Sequence, residues 1–321
     1  MRARNHINML IVRIFTFTAT VLALSAQPYG YVSNEMGNNI AVVNRATNTV
    51  CHTIAVSGGG LTGLAVTPNG SYIYVAEQSK NSVAVISTAS NSVIASIPVG
   101  GAPVHVAIGP NGGRAYVANS SSNNVSVINI ATNTVVDTIP VGSKPMGLAV
   151  TLDGEKVLVA NFMSANISVI STATNSVWGT WAALSGPAAI VLSPNGREAY
   201  VANQYSNAVT VHSLPNGGIL NTITGFSAPN SVAVTPNGSY LYVTNGNSAS
   251  VSSVNTSSMQ IVAKVATGLL PTSVAVSADG STAYVTNGYG FSLSEISIPS
   301  NTLVATLPSV GIYPASVALY H

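Results

Sequence analysis

A repeat of 42 residues runs through most of this chain and strongly restricts what it can fold into. Its clearest marker is a short turn, Pro-Asn-Gly or a variant ending in Asp-Gly, found at residues 68–70, 110–112, 152–154, 194–196, 236–238 and 278–280. A phrase such as YVAN or YVTN follows each turn, and YVSN at residue 31 brings the copies to seven. A period of this length is typical of arrays in which each unit is one small structural module.

Each unit contains four segments with the composition of short β-strands. In residues 104–141 these segments are VHVAI, RAYVAN, VSVINI and TVVDTIPV, and Gly, Pro, Asn or Ser separates them. Proline presets φ and glycine accepts a positive φ, so Pro-Asn-Gly suits a tight turn between two strands. Four antiparallel strands in about 42 residues are the signature of a β-propeller blade.

The two ends of the repeat array complement each other. Residues 29–56 hold only the second, third and fourth strands of a unit, whereas residues 315–320 match a first strand. Pairing these segments would complete one blade and remove the open sheet edges of the array. We therefore predict an all-β fold, a seven-bladed propeller of four-stranded antiparallel blades, closed by a blade shared between the N- and C-terminal strands.

The first 26 residues are typical of a secretory signal peptide. They contain three Arg, then the apolar run IFTFTATVLALSA, then small residues. This run is shorter than the roughly 20 residues of a membrane-spanning helix, and no later segment reaches that length. We predict a signal peptide at 1–26 and a single propeller domain at 27–321, with no membrane span, in a monomer that is secreted, periplasmic or displayed at the cell surface.

The charge and cysteine content exclude several classes of protein. Charged residues make up only 6% of the chain, and removal of residues 1–26 would leave seven Lys and Arg against eight Asp and Glu. Such a chain lacks the basic field that nucleic-acid binding normally needs. The single Cys51 excludes an intramolecular disulfide. Neither HExxH, nor a phosphate-binding GxxxxGK[ST] loop, nor CxxCH occurs, so we predict no cofactor and no metal.

The unit PNG…AYVAN…NVSVINIATNTVVDTIPVG resembles the YVTN family of propeller repeats, which occurs in archaeal surface-layer proteins and in bacterial periplasmic or secreted propellers. The resemblance covers all of residues 27–321 and implies the propeller fold. What it implies about function is broad, because the family and its structural relatives include surface proteins, a DNA-binding periplasmic propeller, lactonases and a streptogramin lyase.

Departures from the repeat mark the candidate functional residues. Loops between second and third strands, and loops between blades, should emerge on one face around the central channel, which we call the upper face. When the repeats are aligned with one another, equivalent residues form columns. His105 stands in a first-strand column that otherwise holds Gly, Ala or Ser, and it should lie near the upper mouth of the channel. An imidazole there could bind a metal or act as a general base. We favour the alternative that it fills space left by small neighbours, because no second ligand column converges on it.

At two other positions of the aligned repeats, a glutamate replaces the usual residue. The Asn that ends the repeated phrase is predicted to tie down the loop after it, and only Glu77 replaces it. Glu295 replaces a valine that recurs in the third strands. A carboxylate there is either a tuned acid or part of a wetter outer blade.

A further set of candidate ligand-binding residues lies in the predicted upper-face loops. Its aromatic members are Phe162, Tyr205, Phe226, Tyr289, Phe291 and Tyr313. Its polar members, from earlier blades, are Glu77, Lys80 and Lys144. An aromatic arc facing a polar arc could stack sugar rings or hold an amphipathic ligand. The alternative, which we favour, is that the aromatic rings shield loop backbone.

We predict a ligand- or partner-binding scaffold that uses the loops of one propeller face, and we favour a protein that is not an enzyme. A small molecule, a glycan and an envelope protein remain open as partners. One alternative is a hydrolase or lyase of the propeller lactonase kind, with His105 and an upper-face carboxylate such as Glu77 or Glu35 as acid and base. The other is a periplasmic nucleic-acid-binding propeller, which the charge balance disfavours.

Overall fold

Twenty-eight β-strands make up nearly all the regular structure of residues 29–320, the part of the chain that the computed structural model describes. They form seven four-stranded antiparallel sheets, and the first strands of successive sheets contact one another around a ring. The predicted seven-bladed propeller is therefore confirmed. The predicted signal peptide lies outside the described residues. Within residues 29–320, no helix is long and apolar enough to cross a membrane.

We number the blades along the chain, and the strands of each blade run from the channel outwards. Blade 1 contains β1 (Tyr29–Asn34), β2 (Asn39–Asn44) and β3 (Thr49–Ala55). Blade 2 contains β4 (Leu61–Val66), β5 (Tyr72–Glu77), β6 (Ser82–Ser87) and β7 (Ser92–Pro98), with a short 3-10 helix at Gln78–Lys80. Blade 3 contains β8 (Pro103–Ile108), β9 (Arg114–Asn119), β10 (Asn124–Asn129) and β11 (Thr134–Pro140).

Blades 4 to 7 repeat this arrangement. Blade 4 contains β12 (Pro145–Val150), β13 (Lys156–Asn161), β14 (Asn166–Ser171) and β15 (Ser176–Ala182). Blade 5 contains β16 (Pro187–Leu192), β17 (Glu198–Asn203), β18 (Ala208–Ser213) and β19 (Ile219–Thr224). Blade 6 contains β20 (Pro229–Val234), β21 (Tyr240–Asn245), β22 (Ser250–Asn255) and β23 (Gln260–Ala266). Blade 7 contains β24 (Pro271–Val276), β25 (Thr282–Asn287), β26 (Ser292–Ser297) and β27 (Thr302–Pro308), and β28 (Pro314–Leu319) completes blade 1.

Neighbouring blades bury the second and third strands of each sheet on both faces. This explains why these strands read as continuous runs of Val, Ile, Ala and Tyr and do not simply alternate with polar residues. Two buried tyrosines also link adjacent blades. The Tyr74 hydroxyl donates to Asn133 Oδ1 at 2.5 Å, and the Tyr242 hydroxyl donates to Asn301 Oδ1 at 2.7 Å. The repeated phrase is therefore an inter-blade packing element.

Blade 1 closes the ring as predicted. β28 pairs antiparallel with β1, with Val317 opposite Val32. A carboxylate completes the seam between blades 7 and 1, because Glu295 accepts a hydrogen bond from Asn48 of blade 1. The Tyr284 hydroxyl also donates to Glu295 Oε1, at 3.5 Å. The exceptional Glu295 thus has its partner in the first blade.

The outermost strand of every blade carries a β-bulge, where the register to the third strand shifts by one residue. The extra residue is exposed in all seven blades, and these residues are Cys51, Ile94, Val136, Trp178, Leu220, Val262 and Val304. A bulge bends and twists a strand, which hinders the addition of a foreign strand to the edge. The bulges therefore protect the outermost strand of each sheet from pairing with a strand of another molecule.

Candidate functional site

The main candidate site is a cavity of about 470 Å³ in the central channel. The first strands of all seven blades form its wall, because ring closure points that strand of every blade at the axis. At its upper mouth lie Glu35, Gln78, Gln204 and Tyr313 from the loops. A cavity of this volume is within the usual range of about 300 to 1,000 Å³ for small-molecule sites.

Blades 6, 7, 1 and 2 contribute hydroxyl and amide groups to the channel wall, next to the aliphatic side chains Leu64, Val232, Val274 and Val317. Thr272 Oγ1 donates to Pro314 O at 2.7 Å. Asn230 Nδ2 donates to Pro271 O at 2.9 Å, so side chains in the wall tie one first strand to the next. We call this half of the wall the polar arc, formed by Thr62, Asn230, Ser231, Thr272, Ser273 and Ser316.

Blades 3 to 5 line the opposite half with apolar groups, which we call the apolar arc: Val104, Met146, Ala188 and Ala189. His105 stands in this half, partly exposed to the channel. Its Nδ1 atom is buried and has no hydrogen-bond partner among the described residues. A Cβ on Gly63 of β4 would lie 2.7 Å from His105 Cα and 3.3 Å from Cδ2, so the imidazole packs directly against a glycine.

Burial lowers the pKa of His105 from 6.5 to about 4, because the surrounding protein disfavours the imidazolium ion. The ring is therefore neutral at pH 7, with one nitrogen that donates a hydrogen bond and one that accepts. In the described residues, no hydrogen bond joins a carboxylate to His105. The site thus contains a neutral imidazole that lacks the orienting partner of a catalytic dyad.

We expect His105 to make the stability of the protein sensitive to acid. As the pH falls from 6.5 to about 4, the unfolded chain takes up this proton before the folded chain does. The free energy of unfolding should therefore fall across that window, by about 3 kcal/mol at most. Denaturant unfolding at pH 7 and pH 4 should show a smaller loss of stability in His105→Ser than in the wild type. Serine is the residue that three other blades have at this position. Equal losses in the two proteins would contradict the assignment.

Glu35 and Tyr313 form the acidic corner of the upper mouth. The Glu35 amide donates to Tyr313 O at 2.9 Å, which holds the two residues side by side. Burial raises the pKa of the Glu35 carboxyl. Burial also raises the pKa of the Tyr313 hydroxyl, and the negative charge of Glu35 adds to that effect. A hydrogen-bond donor or a cation entering the mouth would meet Glu35 first.

The last position of the repeated phrase is structural in the blades that carry Asn there. In blade 3, Asn119 Nδ2 donates to Asn124 Oδ1 at 2.8 Å and to Ser126 Oγ at 2.9 Å. The Asn119 side chain is fully buried. It therefore braces the start of the third strand and is not available to a ligand.

Glu77 performs the same bracing in blade 2 with the hydrogen bonds reversed. Ser82 Oγ and Ser96 Oγ donate to Glu77 Oε2, at 2.7 and 3.2 Å. Lys80 Nζ lies 3.5 Å from Glu77 Oε1 and forms the one ion pair in residues 29–320. Glu77 is 1% exposed, and neither it nor Lys80 lines the channel. The structure therefore does not bring these two candidates to the cavity.

Glu77→Ala should destabilise the protein by about 2 to 4 kcal/mol, because it leaves two serine hydroxyls and an ammonium group without their acceptor. Lys80→Ala is the matched control. It removes the exposed partner of the same ion pair and should cost less than about 1 kcal/mol. Denaturant unfolding measures both changes, and similar losses would show that the ion pair rather than the buried carboxylate matters.

The six aromatic candidates do not form a single arc. Phe162 and Phe226 are 6% and 7% exposed, so both rings belong largely to the core. Tyr205 lies edge-on to Phe162 with 4.8 Å between ring centroids, and Lys144 Nζ lies 5.3 Å from the Phe162 centroid. This cluster on blades 4 and 5 is outside the cavity.

The remaining three aromatic candidates lie on blades 7 and 1. The Tyr289 and Tyr313 rings are also edge-on, with centroids 5.4 Å apart, and Phe291 is exposed nearby in the same loop as Tyr289. Of the ten candidate residues, only His105 and Tyr313 line the cavity.

Sequence reasoning missed six of the ten residues that give the channel wall its two halves, whereas the other four share the position of His105 in the repeat. The six occupy one variable column, which reads Thr62, Val104, Met146, Ala188, Asn230, Thr272 and, in blade 1, Ala315. Variation within an otherwise strict repeat was the available signal. It was overlooked because none of these residue types is ionisable and a search for catalytic groups passes over them.

Solved structures resemble this fold over most of its length. Hydrazine synthase from Kuenenia stuttgartiensis is 23% identical with a TM-score of 0.77, and the match covers 83% of this chain and 91% of that chain. A functionally unknown protein from Desulfotomaculum acetoxidans is 18% identical with a TM-score of 0.81, covering 92% of this chain and 99% of that chain. A candidate 6-phosphogluconolactonase from Bacteroides fragilis is 14% identical with a TM-score of 0.79, covering 93% and 99%. At these identities the likeness concerns the fold alone.

Models of protein families identify a closer relationship than the solved structures do. No curated protein matches the chain. A model described as a seven-bladed lactonase β-propeller matches residues 15–136, which is less than half of the chain. A model described as a YNCE-like β-propeller matches residues 107–290, which is more than half of the 321 residues. With seven blades of the matching fold in place, the chain belongs to the YNCE-like β-propeller family.

Proposed function

We propose that this protein is a binding scaffold that holds a neutral, amphipathic small molecule in the upper mouth of its central channel. The divided wall carries the proposal, because hydroxyl and amide groups of the polar arc face the aliphatic groups of the apolar arc. A ligand with one polar edge and one apolar edge would satisfy both halves.

The charges of the wall disfavour an anionic ligand. Among the described residues that line the cavity, Glu35 is the one acidic residue and neither Lys nor Arg is present. An anion would therefore lose its hydration without gaining a counter-charge. The neutral ring of His105, which is partly exposed to the channel, favours a ligand hydroxyl or carbonyl at that point.

A panel of neutral sugars, sugar lactones and cyclic polyols, compared with the matching sugar phosphates, tests the proposal by isothermal titration calorimetry at pH 7. Neutral members should bind, and His105→Ser should weaken that binding at least tenfold, which is about 1.4 kcal/mol. Tyr205→Ser, on the same face but outside the cavity, should leave affinity unchanged. Preferential binding of the phosphates, or full affinity in His105→Ser, would refute the proposal.

One observation favours lactone hydrolysis as a second candidate. The lactonase family model covers residues 15–136, a range that includes His105. A histidine with its pKa near 4 is a weak general base at pH 7, and the described residues provide no hydrogen-bonded carboxylate to strengthen it. We therefore expect pH-stat assays of the same lactones to give the buffer rate. Turnover that disappears in His105→Ala would establish the enzyme instead.

We further propose that the protein is exported, as the composition of residues 1–26 and the YVTN-type repeats favour. Intact-mass measurement of the protein from the cell envelope and medium tests this, with loss of residues 1–26 as the expected result. Nucleic-acid binding remains the weakest prediction. Salt-sensitive retention of the protein on single-stranded DNA would revive it.

A further inference from the structure

The upper face carries a contiguous patch of exposed apolar side chains beside the channel mouth. We call it the rim patch, and it consists of Met36, Leu269, Tyr289, Phe291, Ile312 and Tyr313. All except the half-buried Tyr313 are between 45% and 63% exposed. Exposed apolar residues scattered singly are normal on a protein, whereas a contiguous group marks an interaction site.

Direct contacts join the loops of the rim patch into one surface. The Gly290 amide donates to Leu269 O at 3.1 Å, which joins the loop before blade 7 to the Tyr289 loop. The Tyr289 and Tyr313 rings then meet edge-on. The Met36 amide donates to Ile312 O at 3.2 Å, which adds the first blade. Ring closure therefore assembles this surface from both ends of the described chain.

Two large aromatic side chains of the rim patch stand at loop positions where the backbone has a positive φ in every blade. Phe291 has a φ of 46°, and the same loop position in other blades is Asn38, Asn81, Asn123, Ala165, Asn207 and Ala249. Tyr313 has a φ of 56° at a position that is glycine or alanine in four other blades and Lys144 or Leu270 in the remaining two, so it is the one aromatic residue there. Large side chains are rare at positive φ, and strain that persists without a packing benefit is characteristic of functional surfaces. Phe291 is exposed, so its ring gains little packing at this position.

The charge next to the rim patch defines what it can accept. Glu35 lies beside Tyr313 and lines the mouth of the channel. Within residues 29–320 the ion pair of Lys80 with Glu77 stands alone, so no described Lys or Arg neutralises Glu35. A cation at this point would pair with the carboxylate and could also contact the faces of Tyr289 and Tyr313.

We infer that the rim patch is a docking surface for a segment of a partner protein in which a Lys or Arg is flanked by apolar side chains. The basic group reaches Glu35 at the channel mouth, and the apolar side chains cover Tyr289, Phe291 and their neighbours. Tyrosines and a desolvated charge at the centre of a patch are typical anchors of protein interfaces. This surface is additional to the small-molecule cavity and shares only Glu35 and Tyr313 with it.

Selection from a phage-displayed library of random heptapeptides on the full chain tests the inference. The variants are Phe291→Asn and Tyr289→Ser, which install residues that other blades have at these positions, and Glu35→Gln. Tyr205→Ser is the control, because Tyr205 is as exposed as Tyr289 but belongs to the other aromatic cluster. Thermal melts of Phe291→Asn should be no lower than those of the wild type, so lost binding cannot be ascribed to unfolding.

The selected peptides should contain a basic residue between apolar ones. Fluorescence anisotropy with the most enriched peptide should show at least tenfold weaker binding to all three variants and unchanged binding to Tyr205→Ser. Replacing the basic residue of the peptide by Gln should weaken binding by a similar factor. The inference is overturned if no peptide is enriched over a Tyr289→Ser, Phe291→Asn double variant, if the enriched peptides lack a basic residue, or if the wild type itself dimerises through this patch.

Discussion

Deletion of residues 314–321 should abolish the cooperative unfolding of the propeller. These residues contain β28, whose Val317 and Leu319 are buried in a core cluster together with Val32 of blade 1 and Tyr284 of blade 7. Losing this burial and the hydrogen bonds to β1 should cost about 5 kcal/mol or more. That loss rivals the whole stability of a typical protein, about 5 to 15 kcal/mol. Denaturant unfolding followed by circular dichroism measures the effect.

A circular permutant is the matched control for this deletion. The Tyr320 amide donates to Tyr29 O at 3.2 Å, so the C-terminal end of β28 lies beside the N-terminal end of its antiparallel partner β1. Moving residues 309–321 in front of Tyr29 through a short glycine-containing turn should therefore restore cooperative unfolding. If the deleted chain were as stable as the intact one, ring closure by β28 would not be what stabilises blade 1.

Gly63→Ala should be the most destabilising of the small substitutions at the channel, by about 2 to 3 kcal/mol. The added methyl group would lie 2.7 Å from both Val104 O and His105 Cα. These are backbone atoms of the neighbouring first strand, so they cannot rotate away, and β4 and β8 would have to separate. The separation would also move His105 and reduce any binding that depends on its imidazole.

Gly179→Ala provides the comparison, because a methyl group there would meet nothing within 4 Å. It makes the same chemical change in an outermost strand and should alter the free energy of unfolding by less than about 1 kcal/mol. Chemical denaturation of both variants in parallel measures the difference. Similar values would mean that the first strands of blades 2 and 3 can move apart freely, and that the channel wall is softer than its contacts indicate.

The fold was predictable because every blade solves the same packing problem. The period of 42 residues, the Pro-Asn-Gly turns and the incomplete units at the two ends together specify seven blades and a shared closing blade. The place of His105 could also be inferred, since one column of the first strand faces the axis in all blades. A periodic pattern of strands thus determines which residues are equivalent.

The candidate site was harder to predict, because equivalent positions differ in their surroundings. Phe162 and Phe226 were expected among the ligand-facing loop residues, yet both rings are largely buried. Glu77 was offered as a candidate carboxylate, but Ser82 and Ser96 make it a buried bracing group. Sequence spacing places a residue in a loop or strand, but the exposure of its side chain depends on which neighbouring blade packs against it.

By itself, the sequence determined the number of blades, the order of strands and the way in which the ring closes, since each follows from local turn chemistry repeated at a constant period. Only the tertiary structure decided that the channel wall has a polar and an apolar half, that Glu295 is paired across the seam, and that the rim patch is contiguous. The physical reason is that closure brings distant residues into contact, as in the hydrogen bond between Asn34 and Val310, which are 276 positions apart. Hydrogen bonding, burial and strain at such contacts depend on both partners, and no single repeat contains both.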